Sequence, residues 1–321
     1  MSDTLIAPED TASENAQTGT TASSRIVLGP NQYGKAEVRV VKITRDSPRH
    51  EIEDLNVTSQ LRGDFEAVHL DGDNGHCVAT DTQKNTVFAF AREGIGSPED
   101  FLLRLSDHFI GSFDWVEGGR WAADSYAWNR IDVDGKGHDH SFVRSNQEVR
   151  TALVVGDGDT RHVVSGLKGL TVLKSTESGF EGYPRDAYTT LPETKDRIMS
   201  TDIAARWRFK DGARDVDFNA VYEDVKRILL TEFAARYSAA LQATLFDMGR
   251  AVLEAHPEIA EIRMSMPNKH HFVVDLSPFG LDNPNEVFFA SDRSYGLIEA
   301  SVTREDEAPH EEVWEAVSPL C

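Results

Sequence analysis

Side chains suited to ligand binding and proton transfer occur in four places along this sequence. Lys35 ends the stretch YGK, directly before a strand pattern, where a lysine is either a base or a solvated edge residue. Thr80 and Asp81 open a helix pattern in the stretch ATDTQKNT. The free N–H groups and the dipole of a helix N-terminus attract anions, so both residues could contact an anionic ligand while Thr80 also caps the helix.

The other two places hold groups that suit a flat, polar ligand. Arg197 offers a planar fork of donors and Gln242 offers a donor and an acceptor, so together they could hold a heterocycle that carries lactam groups. Alternatively, both are surface residues of helices and face water. The stretch PNKHH places Asn268 and two histidines between two strand patterns. Adjacent strand residues point to opposite faces, so His270 and His271 cannot easily bind one metal ion together.

The sequence carries no recognisable motif for a metal or a cofactor. The stretch DVDGKGHDH has the acids and glycines of a calcium loop, but it lacks an oxygen ligand at its fifth position and a glutamate at its twelfth. The chain also contains no GxGxxG fingerprint, Walker loop or CxxC pair. We therefore predict no metal site and no cofactor, and a redox reaction here would proceed without nicotinamide, flavin or metal.

Bulk composition restricts the class of partner. The chain has 321 residues, with 33 basic and 54 acidic side chains and a net charge of -21. This charge argues against nucleic acid or an anionic membrane as partner, so an anionic ligand must be attracted by local positive charge. The sequence contains no apolar run of about 18 residues, so we predict no membrane span. Cys77 and Cys321 are too few for a disulfide framework, which favours the cytoplasm.

Hydrophobic periodicity predicts an α+β fold. Residues 35–63 predict a β-hairpin, and Thr80 with Gln83 predicts a capping box at the start of a helix. Ser97 with Asp100 predicts the same for a second helix.

The second half of the chain repeats the order of strands, helices and strands. Its longest element is an apolar stripe at helical spacing, which predicts a helical region over residues 217–256. An antiparallel sheet with helices on one face, used twice, accounts for both halves. We predict a disordered tail at 1–24, domains at 25–147 and 148–304, and a C-terminal tail at 305–321.

Six stretches, in one order along the chain, together resemble the urate oxidase (uricase) family of the bacterial kind. They cover nearly the whole chain after the N-terminal tail. They are NQYGKAEVRVVKITR, VATDTQKNTVFAFA, GLTVLKSTESGFEGYPRDAYTTLPETKDRI, LQATLFDMG, MPNKHHF and GLIEASV.

The resemblance implies a fold, an assembly and a reaction. Members of this family consist of tandem tunnelling-fold (T-fold) domains, each an antiparallel four-stranded sheet with two helices, and sheets of several chains join into a barrel. The family's enzymes are homotetramers with active sites between subunits. The implied reaction converts urate, O₂ and water into 5-hydroxyisourate and hydrogen peroxide without a cofactor or a metal.

The resemblance also implies roles for single residues. Lys35, Thr80 and His270 resemble the catalytic proton-relay set of the family. Thr80 and Asp81 would also contact the substrate, and both would come from a neighbouring subunit.

The other implied substrate contacts surround a purine ring. Phe180 resembles the aromatic residue that stacks on the purine, and Arg197 with Gln242 resembles the clamp on the urate edge. The backbone of Leu241 would add a contact. Asn268 resembles the residue that holds O₂ or the attacking water above the ring.

Two alternatives are compatible with the same fold. A non-catalytic purine-binding protein would keep the stacking and clamping residues but would not need Lys35, Thr80 and His270 as a set; the sequence has all three. A metal-dependent pterin or purine enzyme would need a cluster of histidines and cysteines, which the sequence patterns do not indicate.

Overall fold

The computed structural model describes residues 25–145 and 147–317, with the side chain of Asp292 left out. The predicted N-terminal tail, 1–24, lies outside the described residues, and so does Cys321. Within the described ranges, no helix is long and apolar enough to cross a membrane.

The first half of the chain begins with a hairpin, continues with helices and returns to strands. Its elements are β1 (Tyr33–Thr44), β2 (Glu51–Gly63), α1 (Glu66–Leu70), a 3₁₀ turn (Asn74–His76), α2 (Thr80–Glu93), α3 (Pro98–Ser112), β3 (Val116–Ser125), β4 (Trp128–Val133), β5 (Lys136–Arg144) and β6 (Val149–Asp157).

The second half has the same order and adds a short C-terminal helix. Its elements are β7 (Thr160–Lys174), β8 (Met199–Phe209), α4 (Phe218–Ala235), α5 (Leu241–Ala255), β9 (Ile259–Ser265), β10 (Asn268–Val273), a 3₁₀ turn (Ser277–Phe279), β11 (Phe288–Gly296), β12 (Glu299–Thr303) and α6 (Glu311–Glu315).

One antiparallel sheet of ten strands crosses both halves. Its order is β1-β2-β3-β6-β7-β8-β10-β11, while β9 pairs with both β8 and β12. Strands β4 and β5 form a separate hairpin. The predicted α+β class is therefore confirmed. The division at 147/148 stays a prediction, because β6 is hydrogen-bonded both to β3 and to β7.

The two faces of the sheet are covered differently. Ala152 and Val154 of β6 belong to the main core with the long helices. Leu153 lies between them and packs instead with Val313 and Trp314 of α6. Because successive strand residues point to opposite faces, α6 lies on the face opposite the main helices. The predicted C-terminal tail thus includes a packed segment.

The helix caps follow the sequence signals in one case and not in the other. The Ser97 side chain accepts a hydrogen bond from the Asp100 amide at 3.0 Å, as the predicted box requires. Thr80, by contrast, is the first helical residue of α2, and the N-cap is Ala79, which offers no side-chain acceptor. The capping-box prediction for Thr80 and Gln83 is wrong, because the Gln83 side chain is buried and bonded to β2.

Two further expectations differ from the structure. The long helical region predicted for 217–256 consists of two helices, α4 and α5, separated at residues 236–240. The polar stretch PNKHH does not interrupt the sheet, because residues Asn268–Val273 form β10. Both β9 and β10 pair with β8, so the sheet forks at Met266 and Pro267.

A buried ion pair joins the first helical layer to the sheet. The Glu99 carboxylate is fully buried and accepts a hydrogen bond from Arg150 at 2.7 Å. The Ser165 hydroxyl donates to its other oxygen. Burial raises the pKa of Glu99, and the Arg150 charge offsets part of that shift. Removing the cation therefore leaves a buried carboxyl group without its main partner.

We predict that Arg150→Met lowers the free energy of unfolding by about 3–5 kcal/mol. Arg227→Met is the matched control, because Arg227 forms an exposed pair with Asp224 and exposed pairs contribute about 0–1 kcal/mol. Urea unfolding followed by tryptophan fluorescence measures both variants. An equal loss in the two would contradict the assignment of Glu99 and Arg150 as a structural pair.

Candidate functional site

Lys35 lies near the start of the edge strand β1, at a point where two backbones almost touch. A Cβ atom on the preceding residue, Gly34, would lie 1.8 Å from the carbonyl oxygen of Ser59 in β2. Glycine is therefore required at this position. Lys35 pairs with Ser59 in the strand register, and the register shifts between Lys35 and Val38. The half-buried lysine is thus held at a fixed height on the edge of the sheet.

Thr80 and Asp81 begin α2 close to Lys35. The hydrogen bond and charge of Lys84 lower the pKa of Asp81, and the Lys35 charge also lowers it, which places Lys35 near the start of α2. The Thr80 hydroxyl has no hydrogen-bond partner within the part of the chain that the structure describes, since Ala79 occupies the N-cap position. This hydroxyl is available to a ligand. Lys35, Thr80 and Asp81 form what we call the basic half-site.

Hydrogen bonds that the sequence patterns did not predict hold the basic half-site together. The Tyr33 hydroxyl donates to the Val78 carbonyl at 3.1 Å, which ties β1 to the segment before α2. The buried Gln83 amide accepts from Ser59 at 3.0 Å and donates to Val78. The sequence signal for the burial of Gln83 was its position four residues before the apolar Val87, on the same face of the helix.

Phe180 and Arg197 lie together in the segment between β7 and β8. Phe180 exchanges two backbone hydrogen bonds with Thr194, and the Arg197 amide donates to the Ser178 carbonyl at 2.9 Å. The Arg197 guanidinium carbon is 5.5 Å from the centroid of the Phe180 ring. Tyr183 stacks on Phe180 at 4.8 Å between centroids. These contacts fix a flat apolar ring next to a cation.

The Arg197 side chain is partly desolvated. Burial lowers its pKa, and the nearby Tyr237 acts in the opposite direction. Arginine nevertheless stays charged, because its ordinary pKa is above about 12. Its Nε is buried without a hydrogen-bond partner among the described residues. An anionic ligand oxygen would satisfy this donor.

Leu241 and Gln242 open α5, because the helical region is interrupted directly before them. Ala240 is the N-cap and offers no side-chain acceptor, so the first N–H groups of α5 are free of a side-chain cap. Ser238, in the interruption, accepts a backbone hydrogen bond from Gly179 at 2.9 Å. The exposed Gln242 side chain thus begins a helix that is attached to the Phe180 segment.

Asn268 and His270 lie two residues apart on β10, and the register between β10 and β11 shifts between them. Burial lowers the pKa of His270, and the charges of Arg197 and His271 lower it further. His270 is thus near Arg197 and neutral at physiological pH. Asn268 pairs with Thr201 of β8, whose buried hydroxyl oxygen has no partner in the described ranges.

The structure therefore brings the predicted site residues into two groups, not one. We call the second group the substrate half-site: Phe180, Arg197, Leu241, Gln242, Asn268 and His270. The basic half-site is on β1 and α2, and five strands separate β1 from β10 in the sheet. At about 4.8 Å per step, the path along the sheet is roughly 29 Å. His270 thus lies with Arg197 and far from Lys35 within one chain.

Comparison with known proteins decides the family. A family model described as Uricase matches residues 31–155 and 163–299. This chain belongs to the uricase family. The uricase of Arthrobacter globiformis is 59% identical over 311 residues, which cover 97% of this chain and 100% of that protein. A uricase of Schizosaccharomyces pombe is 39% identical over 260 residues, covering 78% of this chain and 88% of its own length.

Solved uricase structures have the same architecture. The crystal structure of uricase from Arthrobacter globiformis superposes with a TM-score of 0.87 at 61% identity and covers 91% of this chain and 100% of its own. Urate oxidase from Bacillus sp. TB-90 reaches a TM-score of 0.74 at 23% identity, covering 85% and 100%, and shows the fold alone. The bacterial relationship and the T-fold are thereby confirmed. Every residue of both half-sites lies within the ranges that the uricase model matches.

The close approach at Gly34 leads to a test of how Lys35 is positioned. We predict that Gly34→Ala separates β1 from β2 next to Lys35, because the added Cβ atom would overlap the Ser59 carbonyl. Overpacking of this kind costs about 1–3 kcal/mol. Hydrogen exchange should therefore accelerate at the N-terminal end of β1.

Gly29→Ala is the matched control, since a Cβ atom there has nothing within 4 Å. Exchange in β1 should be unchanged in this variant. Unaltered exchange in both variants would show that Gly34 is not required for the position of Lys35.

Proposed function

We propose that this protein oxidises urate with O₂ and water to 5-hydroxyisourate and hydrogen peroxide, without a cofactor, in sites formed between two copies of the chain. The observation that carries the proposal is the separation of complementary groups into two half-sites at opposite ends of one sheet. One half-site supplies a lysine and a free hydroxyl, and the other supplies a cation beside an aromatic ring. Membership of the uricase family indicates that the substrate is urate.

The substrate half-site suits a flat anion. Arg197 would pair with urate through charge-assisted hydrogen bonds, each worth about 1.5–3 kcal/mol. Phe180 would stack on the ring, a contact worth about 1–3 kcal/mol by analogy with base–aromatic stacking. The Gln242 amide and the free N–H groups at the start of α5 would contact the remaining edge of the purine. The overall charge of -21 repels anions, so these local groups must provide the attraction.

The chemistry then depends on charge and proximity. Triplet O₂ reacts poorly with a neutral closed-shell molecule, but an electron-rich urate anion can donate one electron to it, and the radical pair can recombine. Asn268 would hold O₂, and later the attacking water, over the ring. Holding both reactants in contact removes much of the entropic cost of their encounter.

A proton relay completes the proposed site. The Thr80 hydroxyl is too weak a base to act alone, so Lys35, in its neutral amine form, would accept the proton through it. His270 would continue the relay, and its lowered pKa keeps it neutral and able to accept a proton at physiological pH. In total, two protons are removed from urate, and they leave with the reduced oxygen as hydrogen peroxide.

Assembly of several chains would bring the half-sites together. Within the described residues, β1 pairs with β2 alone and β11 pairs with β10 alone, so both ends of the sheet have free edges. The β10–β11 hairpin exposes half or more of two large apolar side chains, Phe272 and Phe289. Exposed edges and apolar patches are typical of surfaces that another chain covers. We propose a homotetramer whose sheets join into a barrel.

The remaining proposals concern location and the alternative function. We propose that the enzyme acts in the cytoplasm, on the basis of its two cysteines. We retain the two-domain division at 147/148 as a proposal. No observation favours the non-catalytic purine-binding alternative.

Lys35→Met tests the relay. We expect turnover of urate to fall by about 10²–10⁴-fold, because the Thr80 hydroxyl loses the base behind it. Binding of a non-reactive urate analogue, measured by calorimetry, should persist, since Lys35 is outside the substrate half-site. Lys42→Met is the control on the same strand, where the lysine is 3.6 Å from Glu53. Near-normal turnover in Lys35→Met would refute the relay.

Mixing two inactive variants tests the two-chain site. Arg197→Ala should weaken binding of the analogue by about 10- to 150-fold, which corresponds to one charge-assisted bond. Lys35→Met and Arg197→Ala chains, co-expressed in equal amounts with different tags, should regain activity. About one quarter of the sites in a random mixed oligomer would combine two intact half-sites. Failure of the isolated mixed oligomers to exceed either parent would contradict sites that span two chains.

A further inference from the structure

Three side chains of types that can bind metal ions converge on the sheet face that α6 covers. They are His162 of β7, Asp211 after β8 and His310 directly before α6, and their ligand atoms all lie within 4.8 Å of one another. His162 Nδ1 is 3.0 Å from Asp211 Oδ1. His310 Nε2 is 3.6 Å from Asp211 Oδ2. His162 is buried, so its ring is held in place by the surrounding sheet.

A hydrogen bond between His310 and the Glu312 carboxylate, which acts as acceptor, affects the metal-binding chemistry of this cluster. His310 Nδ1 is 2.8 Å from Glu312 Oε1. A neutral His310 ring that donates from Nδ1 carries its lone pair on Nε2. Such a lone pair next to an Asp211 carboxylate oxygen requires a positive charge between them, either a metal ion or a proton on Nε2. Histidines that bind metals usually donate their other N–H to a carboxylate in this way.

We propose that His162, Asp211 and His310 bind a divalent transition-metal ion of the Zn²⁺ class, with solvent as a fourth ligand. Two ligand atoms on a tetrahedral zinc with bonds of 2.0–2.1 Å are about 3.4 Å apart. His162 Nδ1 and His310 Nε2 lie 3.0 and 3.6 Å from the two different oxygens of Asp211, and these distances lie on either side of that separation. Two imidazoles and one carboxylate are also a ligand set that zinc prefers.

The charges and the surroundings are compatible with a dication. Arg208 is the competing cation, with its Nη1 3.9 Å from Asp211 Oδ1. Asp211 and Glu312 together carry two negative charges, which exceed the single positive charge of Arg208. His162 and Glu312 line a cavity of about 510 Å³ beside the proposed site.

The ion would fasten the C-terminal segment to the sheet. Around it, Arg208 donates to the Ala308 carbonyl at 3.2 Å and Lys210 pairs with Glu307 at 2.8 Å. Trp314 Nε1 donates to Glu261 at 2.9 Å. A metal that joins β7, the segment after β8 and the residues before α6 would therefore stabilise the docked position of α6.

The proposed metal site is independent of the proposed urate chemistry. Of its three proposed ligands, His162 and His310 lie outside the ranges that the uricase family model matches and Asp211 lies within them, whereas every residue of the two half-sites lies within them. The metal would be structural. Its removal should affect stability and leave turnover unchanged.

Zinc titration of the untagged, chelator-treated full chain tests this inference. Calorimetry should detect one Zn²⁺ per chain, and added Zn²⁺ should raise the midpoint of thermal unfolding by about 2–4 °C. Co²⁺ should give the visible absorption of a tetrahedral site. His310→Gln should weaken Zn²⁺ binding by at least about 100-fold and abolish the thermal shift, since it removes a ligand.

His138→Gln is the matched control, because His138 is also half-buried and lies beside His140 in the β4–β5 hairpin. This variant should bind Zn²⁺ like the unaltered chain. Asp211→Asn provides a second ligand variant, and unchanged urate turnover in His310→Gln would verify its folding. Absence of stoichiometric binding, or equal binding by the unaltered chain and His310→Gln, would overturn the proposal.

Discussion

A continuous hydrogen-bonded sheet separates Lys35, on β1, from Arg197, which lies directly before β8, and the proposed catalysis depends on this constraint. Sheet spacing is nearly invariant, so no side-chain movement can bridge the five strands between β1 and β10. In the proposed mechanism, the base and the substrate cation would meet only when the edge of one chain approaches the opposite edge of another. Activity would then require oligomer formation.

The same separation avoids the cost of burying two like charges together in a single chain. Lys35 near Arg197 in a lone chain would add a second cation to a site that already contains a partly desolvated guanidinium. Burying like charges together is costly unless an anion compensates them. In the proposed two-chain site, the two groups come from different chains, so this cost would arise only when both chains are present and urate can bind between them.

Local patterns in the sequence predicted the helices and strands better than they predicted the breaks between them. Ser97 caps α3 as expected, because the cap and its partner are three residues apart and the signal is complete within the helix. The break between α4 and α5 escaped prediction, since apolar spacing continues across it and Ser238 is held by Gly179 from another segment. Gln242 consequently begins a helix, although its position suggested the middle of one.

The site itself was predictable only through resemblance to a family. Spacing could suggest that Arg197 and Gln242 bind a flat ligand, but nothing local placed Phe180 beside them. The cluster of His162, Asp211 and His310 was not predicted, because its members are far apart in sequence and meet only through the sheet and the docking of α6.

The position of α6 has a consequence for the interior of the proposed barrel. The long helices cover one face of the sheet, so a closed ring of sheets would place the opposite face, with α6 on it, toward the central axis. Each subunit would then contribute a short helix and the buried Trp314 to the lumen. The C-terminal segments would line and narrow the central channel. The width of this channel would depend on whether those segments stay docked on the sheet.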